Sequence, residues 1–288
     1  MHHIIPRECL HIAGQSLTLV LLIAGAFLFL RLLWQWRRGI CPLFTRASVG
    51  RLQARSWQSA DIVVLLLAIM LPMAPALLAI LETSGDATAT PPTTLQLVPY
   101  FLFYVLILAG VLLAARRTGM GVGAALGITR ATLGSSMRTG LVLGLAMLPP
   151  VILTACLTEW ALRGLGIPPD RQAVFDLLAD PRVGAVTQAL LVFVAVVAAP
   201  FAEEAVFRGV VFPVVLRSRR LFGTLLLVNV LFALLHLHPP SFFPLLAVGL
   251  CLSLGMLATG SLLTPIVMHA IFNGEMLLIF YAWPALAS

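Results

Sequence analysis

The sequence predicts an all-α, polytopic membrane bundle of about eight transmembrane helices, on three observations. Of the 288 residues 60% are hydrophobic and 10% charged, and the mean hydropathy is +1.04. Soluble domains do not have that composition. Apolar runs of about 17 to 20 residues recur along the chain, the length a helix needs to cross roughly 30 Å of hydrocarbon. Finally, all 18 basic residues are arginine and most fall between those runs. Basic residues in short loops mark membrane topology.

In chain order the runs are Leu17 to Leu33, Ile62 to Leu81, Val98 to Ala115 and Gly140 to Leu157, then Gly184 to Leu216, Leu221 to Leu237, Phe242 to Ala258 and Leu262 to Trp283. The first is followed, not preceded, by its charges Arg31, Arg37 and Arg38, so it reads as a retained helix and not as a cleaved leader. The segment after the first run also holds Arg46, Arg51 and Arg55, and that after the third holds Arg116, Arg117, Arg130 and Arg138. Arg217, Arg219 and Arg220 follow the fifth. These intervals are assigned to the cytoplasm. The alternate intervals carry Glu82 and Asp86, or Glu159, Asp170, Asp176 and Asp180 with Arg163, Arg171 and Arg182, which places both termini outside. Trp34, Trp36, Trp57, Trp160 and Trp283 lie near run ends and read as interfacial.

Integral membrane placement, in a bacterial plasma membrane, makes the lipid bilayer the first partner. The net charge of +7 then needs no nucleic acid. Cys9, Cys41, Cys156 and Cys251 show no paired spacing and support neither a disulfide framework nor a cysteine metal site. No internal repeat divides the chain. Residues 1–139 hold three N-terminal spans and their cytoplasmic loops, and 140–288 hold the other five, with a core at about 184–281. Gly140 and Gly144 form a helix-packing GxxxG. Gly119, Gly121 and Gly123 lack the preceding strand that a phosphate loop needs.

Ionisable residues inside such runs cost several kcal/mol each by order of magnitude and are kept for function or as satisfied internal pairs. The fifth run contains Glu203, Glu204 and Arg208. Glu204 and Arg208 are four residues apart and share a helix face, where they neutralise each other. Glu203 points about 100° away, free to face a cavity, and Pro200 just before it is placed to kink the helix. A buried ion-pair network that fixes helix packing is the competing reading. In the sixth run Phe232 and His236 are four residues apart, and Asn229, seven before His236, returns to the same face and is expected to hydrogen-bond its imidazole. His238, before Pro239 and Pro240, is expected to end that helix at the membrane surface. In the eighth run His269 and Asn273 share a face, whereas Glu275 is an unexplained acid. A rise of about 1.5 Å per residue brings the cluster to similar depth.

Glu203-Glu-Ala-Val-Phe-Arg208, Phe232-Ala-Leu-Leu-His236 and His269-Ala-Ile-Phe-Asn273, in that order and in membrane helices, resemble the three motifs of the CAAX protease and bacteriocin-processing (CPBP, or Abi) family. The resemblance covers about Gly184 to Tyr281. It implies an intramembrane endopeptidase acting on membrane-associated protein or peptide substrates; eukaryotic members remove the C-terminal tripeptide of prenylated CAAX proteins. Carried onto this chain, Glu203 with His236 activates water, His269 and Asn273 stabilise the oxyanion, and Glu204, Arg208, Phe232 and Asn229 support them. No cofactor is needed for that chemistry. The alternative is zinc held by Glu203, His236 and His269 with one open position, although no HExxH helix is present. An ion- or proton-coupled transporter and a non-catalytic scaffold or immunity protein are the other classes. The transporter would more often show repeated halves.

Overall fold

The computed structural model describes residues 7–40, 44–63, 65, 98–167 and 172–283. It is an all-α membrane bundle, with no strand among the described residues. The helices are α1 (Arg7–Arg37), α2 (Arg46–Gln53), α3 (Val98–Arg117), α4 (Val122–Leu126), α5 (Arg130–Gly164), α6 (Ala173–Ala179), α7 (Ala185–Ser218), α8 (Leu221–Leu234), α9 (Phe242–Thr259) and α10 (Leu263–Ala282). Most of the expected span Ile62 to Leu81 lies outside the described residues, as does the polar interval after it.

Five of these segments are long and apolar enough to cross a membrane: α1 from His11, the α4–α5 segment, α7, the segment Pro239–Thr259 containing α9, and α10. Two boundaries differ from expectation. Helix α5 starts ten residues before Gly140, because Thr129 and Thr132 form a reciprocal capping box, the Thr129 hydroxyl accepting from the Thr132 N–H at 3.3 Å. Arg130 and Arg138, read as loop charges, ride on that extension. Helix α8 has 14 residues and ends at Leu234, a rise of about 21 Å. That is short of the roughly 30 Å of hydrocarbon, and the chain turns at His238 into the segment Pro239–Thr259.

Helix α5 is the hub, packed against α1, α9 and α10. Its GxxxG makes the α10 contact: a Cβ on Gly140 would stand 2.8 Å from Val267 Cβ, and one on Gly144 3.2 Å from Met268 Cα. Any side chain there would drive the helices apart. Thr264 donates to the Ser136 carbonyl at 3.1 Å across the same seam. Gly119 and Gly121, with φ of 72° and 78°, form the left-handed turn between α3 and α4.

Hydrogen bonds tie the arginine-bearing loops into one end of the bundle. Arg55 donates to the Gly260 carbonyl at 2.6 Å, Gln53 to the Leu216 carbonyl at 3.0 Å, and the Leu262 N–H to Leu126 at 3.0 Å. Arg217 donates to the Trp57 carbonyl. Trp57 is therefore a correction: it is 1% exposed, locked in the core by these loops, and not interfacial. Trp34, Trp36 and Trp160 are exposed, as interfacial tryptophans should be. At the opposite end Gln15 donates to the Ala282 carbonyl at 2.9 Å, joining α1 to the end of α10.

Candidate active site

Helix α7 is not regular. Two π-helical segments, Val194–Ala198 and Ala205–Val211, flank Ala199–Glu204. Prolines account for both. The Ala199 N–H bonds to Val194, five residues back, and the Phe212 N–H to Phe207. In each case the next residue is proline, Pro200 or Pro213, which has no N–H to continue either register. The Ala195 carbonyl is thus left without its intrahelical donor, and Asn273 supplies one: its Nδ2 donates to Ala195 at 2.7 Å. A proline in α7 thereby positions an amide on α10.

Between the two bulges the acidic pair divides. Glu204 is 0% exposed and its Oε1 is shared, accepting from Arg208 Nη1 at 2.9 Å and lying 2.9 Å from His269 Nδ1. Arg208 Nη2 also donates to Asn229 Oδ1 at 3.1 Å and to the Gly249 carbonyl at 2.9 Å. Ser253 donates to the same Asn229 oxygen at 3.0 Å, and Asn229 Nδ2 donates to the Leu225 carbonyl at 2.7 Å. Each partner of this buried cation is an acceptor, as a guanidinium in hydrocarbon requires. The expected bond from Asn229 to His236 does not form, because Asn229 is committed to Arg208.

His236 is held otherwise. Its Nδ1 is 2.8 Å from the Phe232 carbonyl, which can only accept, so Nδ1 carries the proton and neutral His236 offers a lone pair at Nε2. That nitrogen lies 3.9 Å from Glu203 Oε2, and both side chains are about a quarter exposed. Glu203 Oε2 has no hydrogen-bond partner. Two acceptors at this separation suit one water that donates a proton to each and turns its lone pair outward. Phe232 buttresses both halves of the site, with ring centroids 4.8 Å from His236 and 6.0 Å from His269 and the Arg208 guanidinium 4.5 Å from its own centroid.

Glu203, His236, His269 and Asn273 all line one cavity of about 530 Å³, whose remaining wall is mostly apolar. Tyr104 of α3 also lines it. Among the described residues no three His, Cys, Asp or Glu side chains converge at metal-ligand spacing. His269 Nδ1 is engaged by Glu204, which leaves Nε2 as its free ring nitrogen. Sequence reasoning missed Gly249, Ser253 and the Ala195 carbonyl. The first two carried a signal: a small residue and a hydroxyl four apart on one face of an apolar helix mark a close polar contact between helices. Glu275 lies off the cavity and both its oxygens lack partners; the structure offers no account of it.

The fold and site thus define a polytopic helical membrane protein with a carboxylate–imidazole cluster facing an internal cavity. The family model described as Rce1-like type II CAAX prenyl endopeptidase matches residues 185–274, which run from the start of α7 through Asn273 and contain all eight site residues. Over those residues, about a third of the chain, the sequence is similar to the CAAX prenyl endopeptidase family. No curated protein and no solved structure matches the chain.

Proposed function

We propose that the chain is an intramembrane endopeptidase that hydrolyses a peptide bond of a membrane-associated protein or peptide, using water activated by Glu203 and His236. The observation that carries this reading is the 3.9 Å gap between Glu203 Oε2 and His236 Nε2 on the wall of the cavity, with Oε2 unpartnered. Water held there attacks the carbonyl carbon as its proton passes to the pair. The same proton then goes to the leaving amine as the tetrahedral intermediate collapses. General base catalysis of this kind contributes about 10² to 10⁴ in rate.

Asn273 is the neutral donor for the oxyanion, since its Nδ2 keeps a second proton beyond the one given to Ala195. His269 joins it in a specific state. With Nδ1–H donated to Glu204, its Nε2 becomes a donor when the ring is protonated, and the Glu204 carboxylate balances that charge. Such preorganised donors act strongly in a water-poor site.

Reconstituted protein offered membrane-protein substrates should cleave in a manner that depends on Glu203. It should retain activity after exhaustive chelation and hold no stoichiometric zinc by elemental analysis. One tightly held zinc lost together with activity would replace the glutamate–histidine base with a metal-bound hydroxide. Ion flux without cleavage would place the chain among transporters.

A further inference from the structure

The cavity has a direction. From Glu203 and His236 it extends to Glu159 and Leu162 near the end of α5, and to Gln172 and Ser241. Gln172 and Ser241 are bonded to each other at 3.4 Å, so two connections meet at this end. Helix α8 creates the recess. It has 14 residues where α5 has 35 and α7 has 34, so at about 1.5 Å per residue it stops well short of its neighbours. Leu237, with φ of 51°, reverses the chain immediately after His236. A left-handed leucine is uncommon, and here it keeps the α8–α9 turn low. The space above that turn is the mouth.

Charge separates the two ends. Among the described residues thirteen arginines belong to the end away from the mouth, and Arg7, Arg163 and Arg182 belong to the mouth end. Arg163 and Arg182 are moreover paired with Glu159 and Asp180, each at 2.7 Å. Among the described residues the opposite end has a single ion pair, Arg117 with Asp61, so its positive excess stands. Burial pulls the Arg55 guanidinium down to about 10, which still leaves it a cation at neutral pH. Arginine-rich loops stay in the cytoplasm.

We infer that the cavity opens on the non-cytoplasmic face of the membrane and takes an uncharged internal segment of a membrane-anchored protein or peptide presented from that side. The substrate part rests on the peptidase reading above; the orientation does not. Among the described residues no arginine lines the cavity, and its lining acids are Glu159 and Glu203. A free C-terminal carboxylate would find no cation there. A C-terminal tail presented from the cytoplasm therefore suits neither the charge nor the side of this opening.

Two measurements keep orientation and chemistry apart. In a chain whose own cysteines are replaced, Ser241→Cys and Gln172→Cys should react with a membrane-impermeant maleimide in intact bacterial spheroplasts. Arg219→Cys should react after permeabilisation or in inside-out vesicles. The reverse pattern overturns the inference, and the use of two mouth positions guards against one variant failing to fold. Single-span reporters bearing a short randomised uncharged segment on one side of the anchor then test the substrate. Cleavage that requires Glu203 should occur with the segment outside and be lost with it in the cytoplasm; cleavage of the cytoplasmic set overturns it. If neither set is cut while labelling follows the expected pattern, the peptidase reading and its substrate fall together, and the orientation stands.

Discussion

Glu203 and Glu204 are neighbours in sequence with opposite surroundings. Glu204 is fully buried and shared between a cation and an imidazole, and its network closes through Asn229, Ser253 and the Gly249 carbonyl. Glu203 is a quarter exposed, lines the cavity and faces His236 Nε2 at 3.9 Å. One residue step on a helix, about 100°, separates a carboxylate that holds the bundle together from one placed for chemistry. Burial with a partner makes a charge structural, whereas incomplete solvation beside a cavity leaves it available to a substrate.

The sharpest break of this comparison is Glu203→Gln. It keeps the shape and removes the base, so turnover should fall by about 10² to 10⁴ with the thermal midpoint in detergent unchanged. Near-wild-type activity in that variant would remove Glu203 from the mechanism. Glu204→Ala should act on the other half, stranding Arg208 as a buried charge at a cost of about 3 to 5 kcal/mol. Its signature is loss of folded, extractable protein. Replacing both members, Glu204→Leu with Arg208→Met, should recover folding but not activity, because apolar substitutes often match a buried ion pair in stability while His269 loses its orienting carboxylate. Recovery of both would deny Glu204 any part in orienting His269.

A smaller effect probes how tightly the structural half is packed. A Cβ on Gly249 would lie 2.8 Å from Asn229 Oδ1 and 3.3 Å from Arg208 Nη2. Gly249→Ala should therefore cost about 1 to 3 kcal/mol, the usual range for overpacking, and leave the chemistry of correctly folded molecules intact. Unfolding curves and turnover per folded molecule check both parts. A fall in turnover per folded molecule would show that the network also sets the Glu203–His236 gap.

Much of this division was legible in the sequence. Charges inside apolar runs located the cluster, and the i, i+4 spacing of Glu204 and Arg208 anticipated their bond. Helical periodicity within one segment reports which residues share a face. It does not report which neighbouring helix that face meets. Asn229 shares a face with His236, yet its oxygen accepts from Arg208 of α7 and its Nδ2 donates to the Leu225 carbonyl one turn back in α8. Likewise Phe232 was visible as a motif residue, but its backbone carbonyl meets His236 Nδ1 because the helix ends at Leu234 and the His236 N–H turns to Ala233, an ending that the sequence run to Leu237 did not mark. Trp57 was misplaced for a related reason: an aromatic near a run end reads as interfacial until the loops that cover it are known.

Pro200 supplies the last and smallest test, linking the two halves through the backbone. Its missing N–H sustains the π segment Val194–Ala198 and leaves the Ala195 carbonyl free for Asn273. Pro200→Ala restores the donor, so the segment can relax towards a regular α-helix and close over that carbonyl. Proline inside a helix costs about 3 kcal/mol, much of it already offset here by the bulge, so a modest rise in thermal midpoint is expected. Turnover should move the other way, by about tenfold, because an unanchored Asn273 loses part of the 10² to 10³ that a single oxyanion donor provides. Substrate affinity should be little changed, which distinguishes a lost transition-state donor from a reshaped cavity. A variant that is both more stable and fully active would show that the bulge is a packing solution to a proline and nothing more.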